Sequence, residues 1–425
     1  MKFGISKEII TPPFNVNLAC SGIFDKPFKK IHDDVFVRCF VIDDEKTKVV
    51  FFAFDLLFHD RSLNFELENY ANEKYGLEKS SVVISSTHSH LSLSTKGYGR
   101  EFYSEEFEAF LLERAKTCLD RAMCSMFEGS IEHTTFNAEF NVSRRGVVDG
   151  KFCNSPALDR ARDTEFSLLI IRDIEKNVRS VVMNYPCHPV FYPARDSVSG
   201  EFPARVCQLI DAEYYGCISM YFQSSGGDVR PIVTAGEDGK WIYGFGFKDV
   251  NNFAKDIYKA VISEVDKERE SIDVSLGSDA FVMDFPMDGA DFSYFEKEYE
   301  FYKDGPISPN HANARYIVNG AYDSLKDSLS VYGQTIKLSE DIYIATIGGE
   351  PTSGIKNVIK KAFGNKKVFF IGYTDDCAYL VNDKELEEGG YEAECHLEYC
   401  LKGPFKKGID ENLISGYTNS LKNIK

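Results

Sequence analysis

The chain has 425 residues, 43% of them hydrophobic and 14% aromatic, and a formal net charge of −17. That length and apolar content can fill one large core or two moderate ones and exclude a disordered chain. The acidity excludes the basic footprint of a nucleic-acid binder and argues against an anionic membrane surface as partner. No long acidic block carries the charge, so it reads as a solvated surface. The opening MKFGISKEIITPPF has no apolar core of a secretory signal. The longest apolar run, 49–58, is interrupted by Asp55 and is too short to span a bilayer. Eleven scattered cysteines without a CxxC pair read as mostly reduced thiols. A cytoplasmic protein without a transmembrane segment is expected, and nothing in the sequence sets an oligomeric state.

In chain order, apolar and β-branched runs at 35–42 and 49–54, joined by a polar turn, predict a hairpin. Helical patterning follows over 63–75, then a strand at 82–84 and an amphipathic helix over 105–123. Residues 166–171 and 179–184 predict a second hairpin. A helix is expected over 201–213, a strand over 218–222 and a long helix over 248–265. Strands at 274–285 and 342–347 flank a helical stretch, roughly 292–329. Residues 368–371 are the last core strand, and 411–422 close the chain as a helix. No repeat, low-complexity tract or linker interrupts this order. The expectation is an α/β fold of mixed β-sheets layered with helices, one domain over residues 1–425.

Residues 85–90 read Ser-Ser-Thr-His-Ser-His directly after the apolar run 82–84. Alternate residues of a strand point the same way, so His88 and His90 can converge on one site. Neutral imidazole is a common zinc ligand; two histidines in a surface loop are the alternative. Residues 184–189, Asn-Tyr-Pro-Cys-His-Pro, put His188 at a second strand end. Three of the eight histidines thus stand where α/β proteins place reactive groups. Cys187 beside it is either a small buried residue or a ligand. Residues 223–231, Gln-Ser-Ser-Gly-Gly-Asp-Val-Arg-Pro, follow another strand; the glycines permit close backbone approach, and Asp228 either orients a ligand or takes a backbone contact. Residues 347–354 follow a strand with Glu350 as their only acid, and 372–379 follow the last strand and end in Tyr379. Each of these loops alone can equally be an ordinary turn.

Taken together and in order, these segments resemble the catalytic domain of the neutral/alkaline, non-lysosomal ceramidases and their shorter bacterial relatives. The resemblance runs over nearly the whole chain. It includes Gly-Ile-Ser-Lys-Glu-Ile-Ile-Thr-Pro-Pro at the start, Ile31-His32-Asp33-Asp34, Phe54-Asp55-Leu56-Leu57 and the His88–His90 segment. It continues through Asn141-Val142-Ser143-Arg144-Arg145-Gly146, Cys187-His188-Pro189, Gly227-Asp228-Val229-Arg230-Pro231, Gly349-Glu350-Pro351-Thr352 and Gly390-Tyr391-Glu392. The resemblance implies a zinc site of His88, His188, Glu350 and Tyr379, with Tyr373 a competitor for the last position. The phenol would be either a phenolate ligand or a neutral group at longer distance. It also implies that His90, Arg144 and Tyr391 handle the substrate carbonyl and the attacking water. Either Arg144 or Arg145 is the carbonyl donor and the other a surface charge. His32 and His59 carry no derived role.

Such a set suits amide hydrolysis. Two histidines and a carboxylate on zinc leave room for water, Arg144 and Tyr391 would donate to the oxyanion, and His90 would carry the proton to the leaving amine. The ceramidases implied by the resemblance are longer, carry a C-terminal immunoglobulin-like domain and are secreted or membrane-associated. This chain ends soon after the Tyr391 block, and no apolar insertion suggests a ceramide groove. The expected function is therefore zinc-dependent cleavage of an N-acyl amide, small and soluble or lipid-like. A zinc hydrolase of an ester or lactone and a non-catalytic binding protein are the alternatives.

Overall fold

A computed structural model describes residues 1–20, 26–96, 102–305, 307–375 and 378–424. An eight-stranded sheet contains β1 (Lys2–Ile9), β2 (Phe36–Asp43), β3 (Lys48–Phe54), β4 (Val82–Ser86), β5 (Phe127–Asn137), β6 (Glu165–Asp173), β7 (Val178–Tyr185) and β8 (Met220–Gln223). Its spatial order is β8-β7-β6-β5-β1-β2-β3-β4. A four-stranded sheet follows, with β9 (Gly277–Pro286), β10 (Ser328–Lys337), β11 (Ile342–Ile347) and β12 (Lys367–Ile371) side by side in chain order. These are mixed sheets layered with helices, as expected.

The two sheets pack face to face, because their strands are apolar on both sides. On β2, Val37, Cys39 and Val41 point toward helices, while Phe40 and Ile42 point toward the second sheet. β3 divides the same way, with Val50, Phe52 and Phe54 against Phe51 and Ala53. The second sheet answers with Ile336, Leu338, Ile344, Phe369 and Ile371. Helices cover the outer faces. α1 (Arg61–Tyr75) and α2 (Glu105–Cys124) lie over one half of the first sheet, and α3 (Glu201–Glu213) and α4 (Phe247–Val265) over the other. α5 (Ser353–Ala362) and α6 (Ile409–Asn423) cover the second sheet. None of the described helices is long and apolar enough to cross a membrane. The ten described cysteines are free thiols.

Both predicted hairpins form, β2 with β3 and β6 with β7. The helical stretch 292–329 forms over most of its length, as Phe292–Tyr302, Pro309–Tyr316 and helical turns to Ser324. The correction is the strand β10, which begins at Ser328 and pairs along its whole length with β9. Gly333 and Gln334 break the apolar pattern of β10, but both are required by packing. A Cβ at Gly333 would stand 2.9 Å from the Phe281 ring. The buried Gln334 amide donates to the Val82 carbonyl at 2.8 Å. β1 also went unread, because Lys2, Lys7 and Glu8 interrupt it, although it lies in the interior of the first sheet.

Within the two large sheets most strand pairs are antiparallel, and three are parallel: β3 with β4, β7 with β8, and β11 with β12. Reactive groups in sheets of this kind gather beyond the carboxyl ends of parallel strands. Here the three carboxyl ends meet. Gly372 N, after β12, donates to Gln223 O at the end of β8 (2.9 Å), and Ser86 N at the end of β4 donates to Tyr373 O (3.1 Å). His59 reinforces the junction, with Nδ1 2.8 Å from Ser86 Oγ and Nε2 3.2 Å from Thr374 O. Burial holds its pKa at about 4, against about 6.5 in an unfolded chain. The unfolded state therefore takes up a proton that the folded state refuses, so the stability His59 contributes is present above about pH 6.5 and is lost as the pH falls toward 4. Denaturant midpoints measured from pH 7 to 4 are expected to fall through this window, and to fall less steeply in His59→Asn.

Candidate metal centre

β4 ends at Ser86, two residues before the first histidine. Strand alternation is therefore not what joins His88 and His90, which corrects the expectation. Instead His88 adopts a left-handed backbone, φ +66°. That conformation is uncommon for a residue with a side chain and is held where surrounding contacts over-determine it. Two of them are Thr87 N to Phe54 O (2.8 Å) and Ser89 N to Leu56 O (3.1 Å). The turn brings His88 Nε2 to 3.2 Å from His90 Nε2.

His188 arrives from the second parallel pair, in the loop after β7. The buried Gln223 at the end of β8 ties the two histidine loops together. Its amide nitrogen donates to Thr87 O (3.3 Å) and Cys187 O (2.9 Å), and its oxygen accepts from Cys187 N (3.0 Å). Cys187 is thus a small buried residue, and its thiol is pushed well up by burial. His188 Nε2 lies 3.1 Å from His88 Nε2, and the ligand nitrogens of His88, His90 and His188 all fall within 4.8 Å of one another.

Glu350 enters from the third pair, just past β11. A two-residue parallel bridge sets Glu350 beside Tyr379 and Pro351 beside Leu380. The approach depends on Gly227, where a Cβ would stand 2.7 Å from Glu350 O. Glu350 Oε2 lies 3.1 Å from His188 Nε2 and 3.2 Å from His88 Nε2. Its Oε1 accepts from the Tyr399 hydroxyl at 2.7 Å. Burial would raise its pKa, but the imidazoles of His88 and His188 outweigh this and hold it well below the usual carboxylate range. The Tyr379 hydroxyl is 3.4 Å from His188 Nε2. Burial pushes this phenol well above its ordinary value despite the Arg144 charge beside it. Tyr373 packs its ring on His88 at 4.6 Å, and its hydroxyl is buried without a partner. Residues 376 and 377 of this loop lie outside the described residues.

The tautomers test whether these donors fit a cation. His88 Nδ1 is 3.0 Å from Leu57 O, and His188 Nδ1 is 2.5 Å from Gly226 O. A carbonyl can only accept, so both Nδ1 atoms carry a proton, and in the neutral rings both Nε2 atoms present lone pairs. Burial lowers the His188 pKa to about 3, with Arg144 acting in the same direction. With both rings neutral, two lone pairs and a carboxylate oxygen converge with no proton among them, an arrangement that a divalent cation satisfies. Backbone carbonyls on the distal ring nitrogens are also what metal-binding histidines use to fix their orientation. His90 differs: its Nδ1 faces the Tyr192 hydroxyl (3.0 Å) and Cys20 Sγ (3.2 Å). Both of these partners can donate or accept, so they leave the tautomer of His90 open.

Arg144 and Arg145 are both buried, which corrects the expectation that one is a surface charge. Arg145 faces away from the centre, its Nη1 on Glu392 Oε2 (2.7 Å) and its Nη2 on Gly389 O (2.9 Å). Arg144 Nε donates to the other oxygen of Glu392 (2.8 Å), and its guanidinium lies over the rings of Tyr379 (4.8 Å) and Tyr391 (5.3 Å). Its Nη2 is buried without a partner. The Tyr391 hydroxyl donates to Glu398 at 2.7 Å. Asp228 takes backbone and hydroxyl bonds from Ser353 (2.8 and 2.9 Å) and so braces the Glu350 loop from below. A cavity of about 130 Å³ is lined by His88, His90, Glu350, Arg144, Tyr379 and Tyr391, together with Tyr192, Arg230, Glu398 and Tyr399. Every predicted site residue except His188 lines it, and His188 touches the others from beneath. Tyr192, Tyr399 and Glu398 were not predicted. Tyr192 sits three residues past Pro189, close enough to a flagged motif to be sought; Tyr399 carries no sequence signal.

No family model matches the chain. In sequence it is 27% identical over 210 residues to the neutral ceramidases of Drosophila melanogaster and Drosophila pseudoobscura pseudoobscura. Each match covers 44% of this chain and only 28% of the relative. In structure it superposes on the neutral ceramidase of Pseudomonas aeruginosa with a TM-score of 0.76 at 15% identity, over 99% of this chain and 74% of that one. A ceramidase in complex with C2 gives a TM-score of 0.75 at 14% identity, over 99% of this chain and 75% of that one. The chain is thus similar to neutral ceramidases in sequence and has the neutral-ceramidase fold.

Proposed function

We propose that the chain is a zinc-dependent hydrolase that cleaves the carbon–nitrogen bond of an N-acyl amide with water. The observation that carries this reading is the meeting at one small cavity of two imidazoles and a carboxylate with an unpartnered Arg144 nitrogen. His88, His188 and Glu350 would hold the cation, with Tyr379 as the fourth group. When bound, zinc supplies Lewis acidity and a nucleophile near neutral pH.

The protein's own groups account for the rest. Arg144 is fixed through Glu392 and two aromatic faces, so its free Nη2 is preorganised to donate to the carbonyl oxygen as negative charge develops. Tyr391 is the second donor once substrate draws its hydroxyl from Glu398. His90 delivers a proton to the leaving amine, a task that its unfixed tautomer suits. An amide nitrogen leaves poorly as an anion, so this proton matters more for amides than for esters. The names of the relatives, neutral ceramidase and ceramidase, support the amide class. A cavity of about 130 Å³ falls below the roughly 300–1,000 Å³ of common ligand pockets, which favours a short substrate over a long-chain one.

Protein purified without chelator is expected to contain close to one zinc per chain by elemental analysis, and His188→Ala to contain little. Chelation should abolish turnover and zinc restore it. Arg144→Met should keep its metal and lose about 10²–10³ in kcat. His90→Ala should also keep its metal and lose about 10²–10⁴ on an amide, but much less on the matched ester. Equal losses on both would argue for an ester or lactone hydrolase in which His90 serves another purpose.

A further inference from the structure

Arg230 stands in the short strand Val229–Pro231, which pairs antiparallel with the strand Asn141–Val148 that carries Arg144. Both guanidiniums line the cavity of the candidate centre. They differ in how their charge is met. Arg144 is paired with Glu392. Arg230, only 8% exposed, pairs with no carboxylate among the described residues. Its Nη2 reaches Val190 O at 3.5 Å, and its Nε is buried without a partner.

The carboxylates lining the same cavity are engaged elsewhere. Glu350 faces the imidazoles and Tyr399, and Glu398 accepts from Tyr391. The guanidinium is nevertheless held in place. Trp241, the one tryptophan of the chain, stacks over it at 4.2 Å and is anchored through Nε1 to Asn154 at 3.0 Å. A buried cation with no carboxylate within ion-pair distance is costly. A rigid, desolvated guanidinium with free donors is the group best matched to a carboxylate.

Resting on the amidase reading above, we propose that the substrate carries an anionic group, in the class of N-acyl amino acids, whose carboxylate is held by Arg230. Hydrolysis then consumes one water. Its oxygen bonds to the acyl carbon, the carbon–nitrogen bond breaks, and the nitrogen takes a proton. The products are a carboxylic acid and an amino acid. Arg230 selects and positions the substrate, while Arg144 serves the reacting carbonyl.

The test compares N-butanoylglycine with N-butanoylglycinol, which replaces the carboxylate by a neutral hydroxymethyl group, on zinc-loaded protein. The wild type should favour the glycine conjugate by about 10- to 100-fold in kcat/KM. In Arg230→Met that ratio should fall to near one, with zinc content unchanged as the check on folding. A wild-type ratio near one, or a ratio that survives in Arg230→Met, overturns the proposal, and the wild-type ratio decides even if the variant does not fold. If neither compound is cleaved, the same pair is compared by calorimetric binding. A preference for the carboxylate that Arg230→Met removes upholds the anion site while the amidase reading fails; no preference overturns the anion site as well.

Discussion

Two imidazole nitrogens face each other across 3.1 Å, and in the neutral rings no proton stands between them, because Leu57 O and Gly226 O hold the protons on the far side of each ring. A carboxylate oxygen points into the same gap. Three electron-rich atoms converge here in a site buried from water, where like partial charges repel most strongly. The surrounding architecture can be understood as what keeps these groups together: a left-handed turn at His88, the Gln223 amide between the two histidine loops, and a close backbone pass at Gly227.

That constraint explains the pairing of the sheets. Each of the three parallel strand pairs within the two large sheets delivers part of the centre: β3–β4 brings His88 and His90, β7–β8 brings His188 and Gln223, and β11–β12 brings Glu350, Tyr373 and Tyr379. The antiparallel remainder of both sheets supplies a rigid interior between helical layers. A centre assembled from distant segments needs such a scaffold, since errors of an ångström in donor position weaken both metal binding and catalysis.

Much of this was legible in the sequence. The hairpins and the long helices followed from apolar runs and periodicity. His88, His188 and Glu350 stood out because each follows an apolar run and precedes a turn. What could not be read was tertiary. Gly333 and Gln334 look like strand breakers until Phe281 and the Val82 carbonyl are set against them. Arg145 looks like a surface charge until the chain returns some 240 residues later with Glu388, Gly389 and Glu392. The His88–His90 pair was found for a partly mistaken reason, because a left-handed residue rather than strand alternation makes it converge. Tyr399 meets Glu350 only in the tertiary fold, where its hydroxyl donates to Oε1.

On the proposed reading, a divalent cation occupies the gap among His88, His188 and Glu350. X-ray absorption at the zinc edge, on protein purified without chelator, tests it most directly. Stoichiometric zinc is expected, with a shell of nitrogen and oxygen only, at about 2.0–2.2 Å, and with imidazole scattering. A sulfur shell near about 2.3 Å, or no zinc after zinc has been supplied, would contradict it.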